Sequence, residues 1–282
     1  MVAKKLLLVV LFSLQIFAAQ SAEQMLQTKI KNLVEPKIYK LHQGLIGVLF
    51  KNSASFMQGD SVHLMPVIQT LQDNGLLNLV YKKPISVEVV FQISNVSSLL
   101  LVIRSIQNAL GELGYSFSIT KQVRFDNNSL FWSIDFQTNV GINPGALGTI
   151  LLNQGIHIVD IQREGHIKWT YNLDAKNAKL DNVREVKKGA NVKVSLVGNE
   201  ILLRPTNITK PQSSIYITSN PKNHWYPHIV FYDKMLNIIK IKKRDRITSR
   251  YRVPIPKGTH YIKLLDKYTT DNMKYGFTVL VR

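Results

Sequence analysis

The chain has 282 residues, 45% of them apolar, no cysteine, and 36 Lys and Arg against 18 Asp and Glu, a net charge of +18. That apolar share supports packed cores and excludes a disordered tail, while the missing thiols exclude a disulfide framework, thiol catalysis and a bacterial lipoprotein anchor. The charge is uneven: Asp181 to Arg282 carries 20 basic and 7 acidic residues, net +13, whereas Glu23 to Leu180 carries 14 and 11. The positive field therefore belongs to the C-terminal third, where it bears on partners rather than on fold.

Residues 1–22 have the layout of a secretory signal peptide. Lys4 and Lys5 precede an apolar run from Leu6 to Phe17, and small residues Ala18, Ala19, Ser21 and Ala22 follow. The run is shorter than the roughly 20 residues of a membrane span, so the expectation is cleavage and a mature protein with no transmembrane segment. Lack of disulfides with a Lys-, Asn- and Ile-rich composition points to a bacterial periplasmic protein, with full secretion as the other destination. The three Asn-x-Ser/Thr tripeptides at Asn95, Asn127 and Asn207 are then chance matches to glycosylation acceptors.

Residues 23–82 read as mainly helical. Met25, Leu26, Ile30 and Leu33 repeat at helical spacing before Pro36, and Leu41, Leu45, Val48 and Leu49 continue that period. Pro66, Val67, Ile68 and Leu71 form a further short helix ended by Asn74-Gly75.

Residues 83–175 are clearer. Ile85, Val87, Val89, Phe91 and Ile93 alternate as a strand with one buried face. Leu99, Val102, Ile103, Ile106, Leu110 and Leu113 form a helical stripe closed by Gly114. A second strand carries Tyr115, Phe117, Ile119, Val123 and Phe125, and a third, after the Asp126–Ser129 turn, carries Leu130, Trp132, Ile134 and Phe136. Asn143-Pro144-Gly145 opens a second helix, a fourth strand spans 156–162, and a fifth follows the Glu164-Gly165 turn. The order predicts a ferredoxin-like βαββαβ domain with one appended strand.

Residues 176–190, polar and charged, form the expected linker. From 191 to 282, short strands near 191–197, 200–204, 214–219, 227–233, 236–242, 248–254, 259–265 and 274–281 predict an antiparallel β-sandwich, immunoglobulin-like or jelly-roll in type. The fold class is thus α+β.

Candidate chemistry is sparse. His224 and His228 resemble a metal pair, but Pro227 breaks the helix that would align them and no third ligand lies near in sequence. Gly141 to Gly148 lacks a phosphate-loop ending, and Asn143-Pro144 explains its helix start. Asp126, Asp135 and Asp160 lie on or beside strands, where a solvated face accounts for them. No nucleophile elbow, zinc helix or acylation motif occurs, so no catalytic residue, metal or cofactor is assigned and the pattern points away from an enzyme. One constellation stands out: Lys240, Lys242, Lys243, Arg244, Arg246, Arg250 and Arg252, interleaved with Ile239, Ile241, Ile247, Tyr251 and Val253. Read as a hairpin, it gathers cations suited to phosphates and carboxylates. The competing reading is an edge strand guarded by charge.

Signal peptide, absence of cysteine, mixed middle and basic β-rich end together make the chain resemble uncharacterised secreted or periplasmic proteins of Gram-negative bacteria. The resemblance is one of build over most of the chain; it implies export and assigns no residue a role. The expected function is a non-enzymatic envelope module whose basic domain contacts an anionic envelope component or an acidic protein, with homo-oligomerisation through the middle domain. An envelope enzyme acting on glycan or peptide and an extracellular nucleic-acid binder are the alternatives.

Overall fold

The computed structural model describes residues 22–207 and 213–282; the expected signal peptide lies almost wholly outside them. The chain divides into two compact units, one of residues up to Ser97 with Val102–Ala178 and one of Ser98–Leu101 with Lys179–Arg282, and both are built mainly of sheet. Among the described residues no helix is long and apolar enough to cross a membrane.

The first unit starts with three helices, α1 (22–33), α2 (Pro36–Leu41) and α3 (Gln43–Leu49). Leu26, Ile30 and Leu33 are fully buried, as their spacing predicts. The next segment departs from its predicted face: Leu41 and Val48 are 74% and 73% exposed, while Ile46 and Phe50 are buried. His42, at φ −111° and ψ 23°, interrupts the helix between α2 and α3, and the break shifts the phase of the buried stripe. A two-stranded ribbon, β1 (Met57–Gln58) and β2 (Ser61–Val62), leads into α4 (Leu64–Asp73), which buries Leu64, Val67, Ile68 and Leu71.

The main elements follow as β3 (Val80–Ser94), α5 (Leu99–Glu112), β4 (Ile119–Asp126), β5 (Ser129–Val140), α6 (Pro144–Asn153), β6 (His157–Glu164) and β7 (Lys168–Asp174). They give one five-stranded sheet in the order β4-β5-β3-β7-β6. Neighbours are antiparallel except β3 and β7, which run parallel. The last strand is therefore inserted between β3 and β6 rather than added at the edge. Its sequence suits that place: Trp169, Thr170, Tyr171 and Leu173 are all buried, as a strand covered on both faces requires. By contrast every residue of β4 is exposed, including Ile119, Val123 and Phe125. It is an edge strand with β5 as its one neighbour, and a register shift between Thr120 and Gln122 breaks its period.

The helical N-terminal region belongs to the same compact unit as this sheet, and ion pairs and hydrogen bonds join them. Lys29 of α1 pairs with Asp160 of β6. The buried Arg163 guanidinium donates to the carbonyls of Leu77 and Asn78, lies 3.9 Å from Glu35 and stacks 4.8 Å above Trp169, while its Nε donates to Gly165.

The second unit is mainly sheet, with a short 3-10 turn at Thr270–Met273. Within the stretch expected to be a linker, Val183–Lys187 forms a strand, β8, whose Val186 is fully buried. It is followed by β9 (Asn191–Val194), β10 (Ile201–Thr206), β11 (Ser214–Ser219), β12 (Pro227–Tyr232), β13 (Ile238–Lys243), β14 (Arg250–Pro254), β15 (Tyr261–Asp266) and β16 (Phe277–Val281). Two sheets result, β13-β12-β15-β10-β8 and β14-β11-β16-β9. Pairing is antiparallel except between β8 and β10. Alternate residues of both sheets, among them Leu203, Ile215, Ile229, Phe231, Leu264 and Val279, form one buried cluster around Trp225.

Replacing Arg163 by Met removes the donors on which the Leu77 and Asn78 carbonyls depend. The variant is expected to lose about 3 kcal/mol in urea unfolding, with faster amide exchange in α1 to α4. Unchanged stability would mean that those carbonyls find other donors.

Candidate functional site

The seven cations singled out in the sequence do not form a hairpin. β13 pairs with β12 at the edge of the five-stranded sheet, and β14 pairs with β11 at the edge of the four-stranded one. Residues 244–249 carry the chain from one sheet to the other. The cations fall into three sets as a consequence. Lys240 and Lys242 lie opposite Phe231 and Ile229, two core residues, so they share the core-facing side of an edge strand, a position that discourages pairing with another chain. Lys243 lies opposite His228 on the other face. Arg244 sits at the start of the crossing, its guanidinium 3.9 Å above the Tyr251 ring, and Arg246 is exposed within it.

Arg250 and Arg252 have different company. Core residues Ile215, Ile217 and Val253 fix the inner side of β11 and β14, so the alternate residues face outward. Strand pairing then sets them in rungs. One rung runs Arg250, Thr218, Thr278, Lys193 across β14, β11, β16 and β9; the next runs Arg252, Tyr216, Leu280, Asn191. Arg282 extends β16 through a backbone pair with Ser214. Tyr216 stands between two guanidiniums, Arg252 at 5.3 Å and Arg282 at 5.7 Å from its ring centre. The four strands contain no Asp or Glu, and among the described residues none of Lys193, Arg250, Arg252 and Arg282 is ion-paired. With strands about 4.8 Å apart, each rung spans roughly 14 Å. The result is a flat face with cations on both margins and hydroxyl and aromatic groups between them.

Sequence reading missed Lys193, Arg282, Tyr216, Thr218 and Thr278, which come from three strands far apart in the chain. Their common signal is the alternation of each strand together with the absence of acids from all four.

One end of this face is closed by two loops held by Asn223. Its buried side chain donates to Ser219 Oγ (3.1 Å) and to the Gly276 carbonyl (2.8 Å), and its Oδ1 accepts from the Tyr275 amide (3.0 Å). Every hydrogen bond joins one loop to the other or to the end of β11.

Other sequence candidates resolve differently. Asn143 Oδ1 accepts from the Ala146 amide at 3.0 Å, so the Gly141–Gly148 segment caps its own helix. Asp160 is taken by Lys29. Glu88 and Asp135 are cross-strand neighbours on β3 and β5. Lys121 closes them into a triad, 3.2 Å from Asp135 and 3.7 Å from Glu88, and Ser133 donates to Glu88 at 2.9 Å. Asp135, then Glu88, push the Lys121 ammonium above its usual pKa. An open cavity of about 780 Å3 on the first unit is lined by Gln92, Arg124, Asp126, Phe131 and Asn172, with neither member of the pair. His224 is exposed, and among the described residues no group of three or more His, Asp or Glu side chains gathers to hold a metal. Burial, then Lys243 and Lys263, hold His228 below its ordinary pKa.

No protein family and no curated protein matches the chain. Solved structures give partial likenesses. The pre-peptidase C-terminal domain of collagenase from Bacillus anthracis aligns over all of its length and 38% of this chain, at 14% identity and a TM-score of 0.28. Aeromonas hydrophila PliG, a periplasmic lysozyme inhibitor of g-type lysozyme, aligns over all of its length and 36% of this chain, at 11% identity and 0.23. Accessory secretory protein 1, 2 and 3 in Streptococcus pneumoniae aligns over 54% of its length and 27% of this chain, at 15% identity and 0.19.

Two predictions follow from the geometry. Asn223→Ala leaves the Tyr275 amide without its acceptor and the Gly276 carbonyl with only the Asn220 amide as donor, and is expected to cost about 1–3 kcal/mol by denaturant unfolding. His228 and His260 are both held below the ordinary value of 6.5, chiefly by burial. Above pH 6.5 both states carry neutral rings; below it the unfolded chain takes up protons first, so stability falls as pH drops from 6.5 towards the folded pKa. A His228→Gln, His260→Gln protein should show a shallower acid loss in melting temperature between pH 6.5 and 5, and an unchanged slope would remove these rings from the account.

Proposed function

We propose that the protein is an exported, non-enzymatic envelope module whose basic second unit contacts an anionic envelope surface. The observation that carries this reading is the acid-free outer face of the four-stranded sheet, where Arg250, Arg252, Arg282 and Lys193 flank Tyr216, Thr218 and Thr278. A flat array of unpaired cations suits an extended polyanion better than a small substrate, since guanidiniums engage phosphate or carboxylate in forks and lysines add point charge. Of the seven cations expected to bind, Arg250 and Arg252 belong to this array; Lys240 and Lys242 guard an edge. The reading takes the N-terminal segment as a signal peptide, placing the mature chain in the periplasm or outside the cell. The second unit is taken as a β-sandwich of immunoglobulin-like or jelly-roll kind. The first is taken as a variant of the ferredoxin-like order with an inserted strand, whose exposed edge β4 is the natural place for self-association.

The test is sedimentation of protein lacking residues 1–22 with purified sacculi, phosphatidylglycerol vesicles and duplex DNA, from 50 to 500 mM salt. Binding to sacculi or vesicles should fall at least about tenfold across that range, as charge screening tightens. Arg250→Gln, Arg252→Gln, Arg282→Gln together should abolish it, while Lys240→Gln, Lys242→Gln should leave most of it. Binding to DNA alone would move the protein to the nucleic-acid class; equal binding by both variants and wild type would sink the assignment of the face.

A further inference from the structure

At the closed end of the same face lies a cavity of about 460 Å3, within the range of roughly 300–1,000 Å3 that holds small molecules. Its floor is the rung of Lys193, Thr278 and Thr218, and Ser195 and Tyr275 stand at its sides. No acidic residue lines it. Outside the lining, the Lys222 and Lys274 ammoniums lie 5.7 and 5.3 Å from the Tyr275 ring centre. Lys193 thus lies in the lining with hydroxyls and the apolar Val194, Pro221 and Phe277, and two further lysines stand beside Tyr275.

The walls are fixed in advance. Asn223 ties the loop bearing Lys222 to the one bearing Tyr275, and the Asn220 amide donates to the Gly276 carbonyl at 3.2 Å. Gly276 has φ +78°, and a Cβ there would meet the Val194 carbonyl oxygen at 2.6 Å, so the loop can approach β9 this closely only as glycine. A site held by spent hydrogen bonds loses little entropy when a ligand enters.

We propose that this cavity is a binding site for a phosphorylated sugar. The inference rests on the reading of the sheet face as an anion-contacting surface and gives that surface a defined seat. A phosphate monoester carries about −1.5 to −2 charge at neutral pH with three acceptor oxygens, which matches three lysine ammoniums acting as mobile point charges. The hydroxyls of Thr218, Thr278 and Ser195 both donate and accept, as a ring of sugar hydroxyls requires. A bare anion would use these hydroxyls as donors only and leave their acceptor lone pairs unused, and a neutral sugar would leave the lysine charge unanswered.

The experiment titrates glucose 6-phosphate, glucose and inorganic phosphate into protein lacking residues 1–22, by calorimetry and by amide shifts in NMR. Glucose 6-phosphate should bind saturably and shift the amides of 193–195, 218–222 and 274–278, with inorganic phosphate weaker and glucose silent. Lys193→Gln, Lys222→Gln should weaken glucose 6-phosphate at least tenfold with an unchanged melting temperature. Thr218→Val, Thr278→Val should weaken glucose 6-phosphate but not inorganic phosphate, the split expected if the hydroxyls read the sugar. Arg252→Gln should leave glucose 6-phosphate binding as it is while lowering attachment to phosphatidylglycerol vesicles. Competition between glucose 6-phosphate and vesicles would show that a lipid-borne phosphate uses the seat; binding without competition would show that the sugar phosphate is taken separately. Absence of saturable glucose 6-phosphate binding, with vesicle attachment intact, would overturn the cavity and leave the sheet reading standing. Loss of both would overturn the two together, and undiminished binding by Lys193→Gln, Lys222→Gln would overturn the cavity alone.

Discussion

The register of β11 governs the second unit. The strand pairs with β14 on one side and β16 on the other, and its residues alternate between Ile215 and Ile217 in the core and Tyr216 and Thr218 outside. Because the side-chain period of a strand is two, a slip of one residue would exchange the faces. Moved with its neighbours, it would push Arg250, Arg252 and Lys193 into the cluster around Trp225 and expose Val253 and Val279. Burying unpaired charges is far costlier than any loss of outer-face contacts, so the register that makes the core is also the one that makes the cationic face. Core and candidate site are two readings of one alternation.

That coupling explains which parts were legible in the sequence. Strands β9 to β16 follow local alternation and turn residues, and their predicted places agree with those observed within a few residues. The partition into sheets is not local. Lys240 to Arg252 reads as strand, turn, strand, but the six residues 244–249 carry the chain between sheets instead of folding it back. Whether such a segment closes a hairpin depends on whether β12 and β11 offer better partners, which no window around it reveals. β8 was hidden for a related reason: Val183 and Val186 are its only apolar residues, and its place in the sheet comes from pairing with β10. In the first unit the order of elements was legible, whereas the interior place of β7 depends on β3 accepting a parallel partner. The phase of α3 was lost at His42, a break with no proline or glycine of its own to announce it.

A cationic face without counter-charges carries a cost in mutual repulsion, and the structure shows how it is contained. Arg252 and Arg282 share the Tyr216 ring, Arg244 lies on Tyr251, and Lys222 and Lys274 share Tyr275. Each aromatic holds a cation without neutralising it. A carboxylate would have held it more tightly and cancelled its field. Where the same unit needs a pinned surface charge it uses acids, as in Lys263 with Glu200 and Arg204 with Glu185 on the five-stranded sheet. Aromatic support on one sheet and acidic support on the other separates charges kept for a partner from charges spent on the fold.

The first unit uses several of its charges in the second way. Lys121 is shared by Glu88 and Asp135, Lys29 goes to Asp160, and Arg163 is consumed by two carbonyls, a carboxylate and an indole. Lys121 engages one oxygen of Asp135, while the other, Oδ1, is buried with no hydrogen-bond partner. The open cavity of this unit is lined by Gln92, Asn172, Arg124 and Asp126, and the Arg124 guanidinium lies 5.6 Å from the Phe131 ring centre. In the second unit, by contrast, Lys193, Arg250, Arg252 and Arg282 carry no ion pair among the described residues, so their field is left to the solvent side of the sheet.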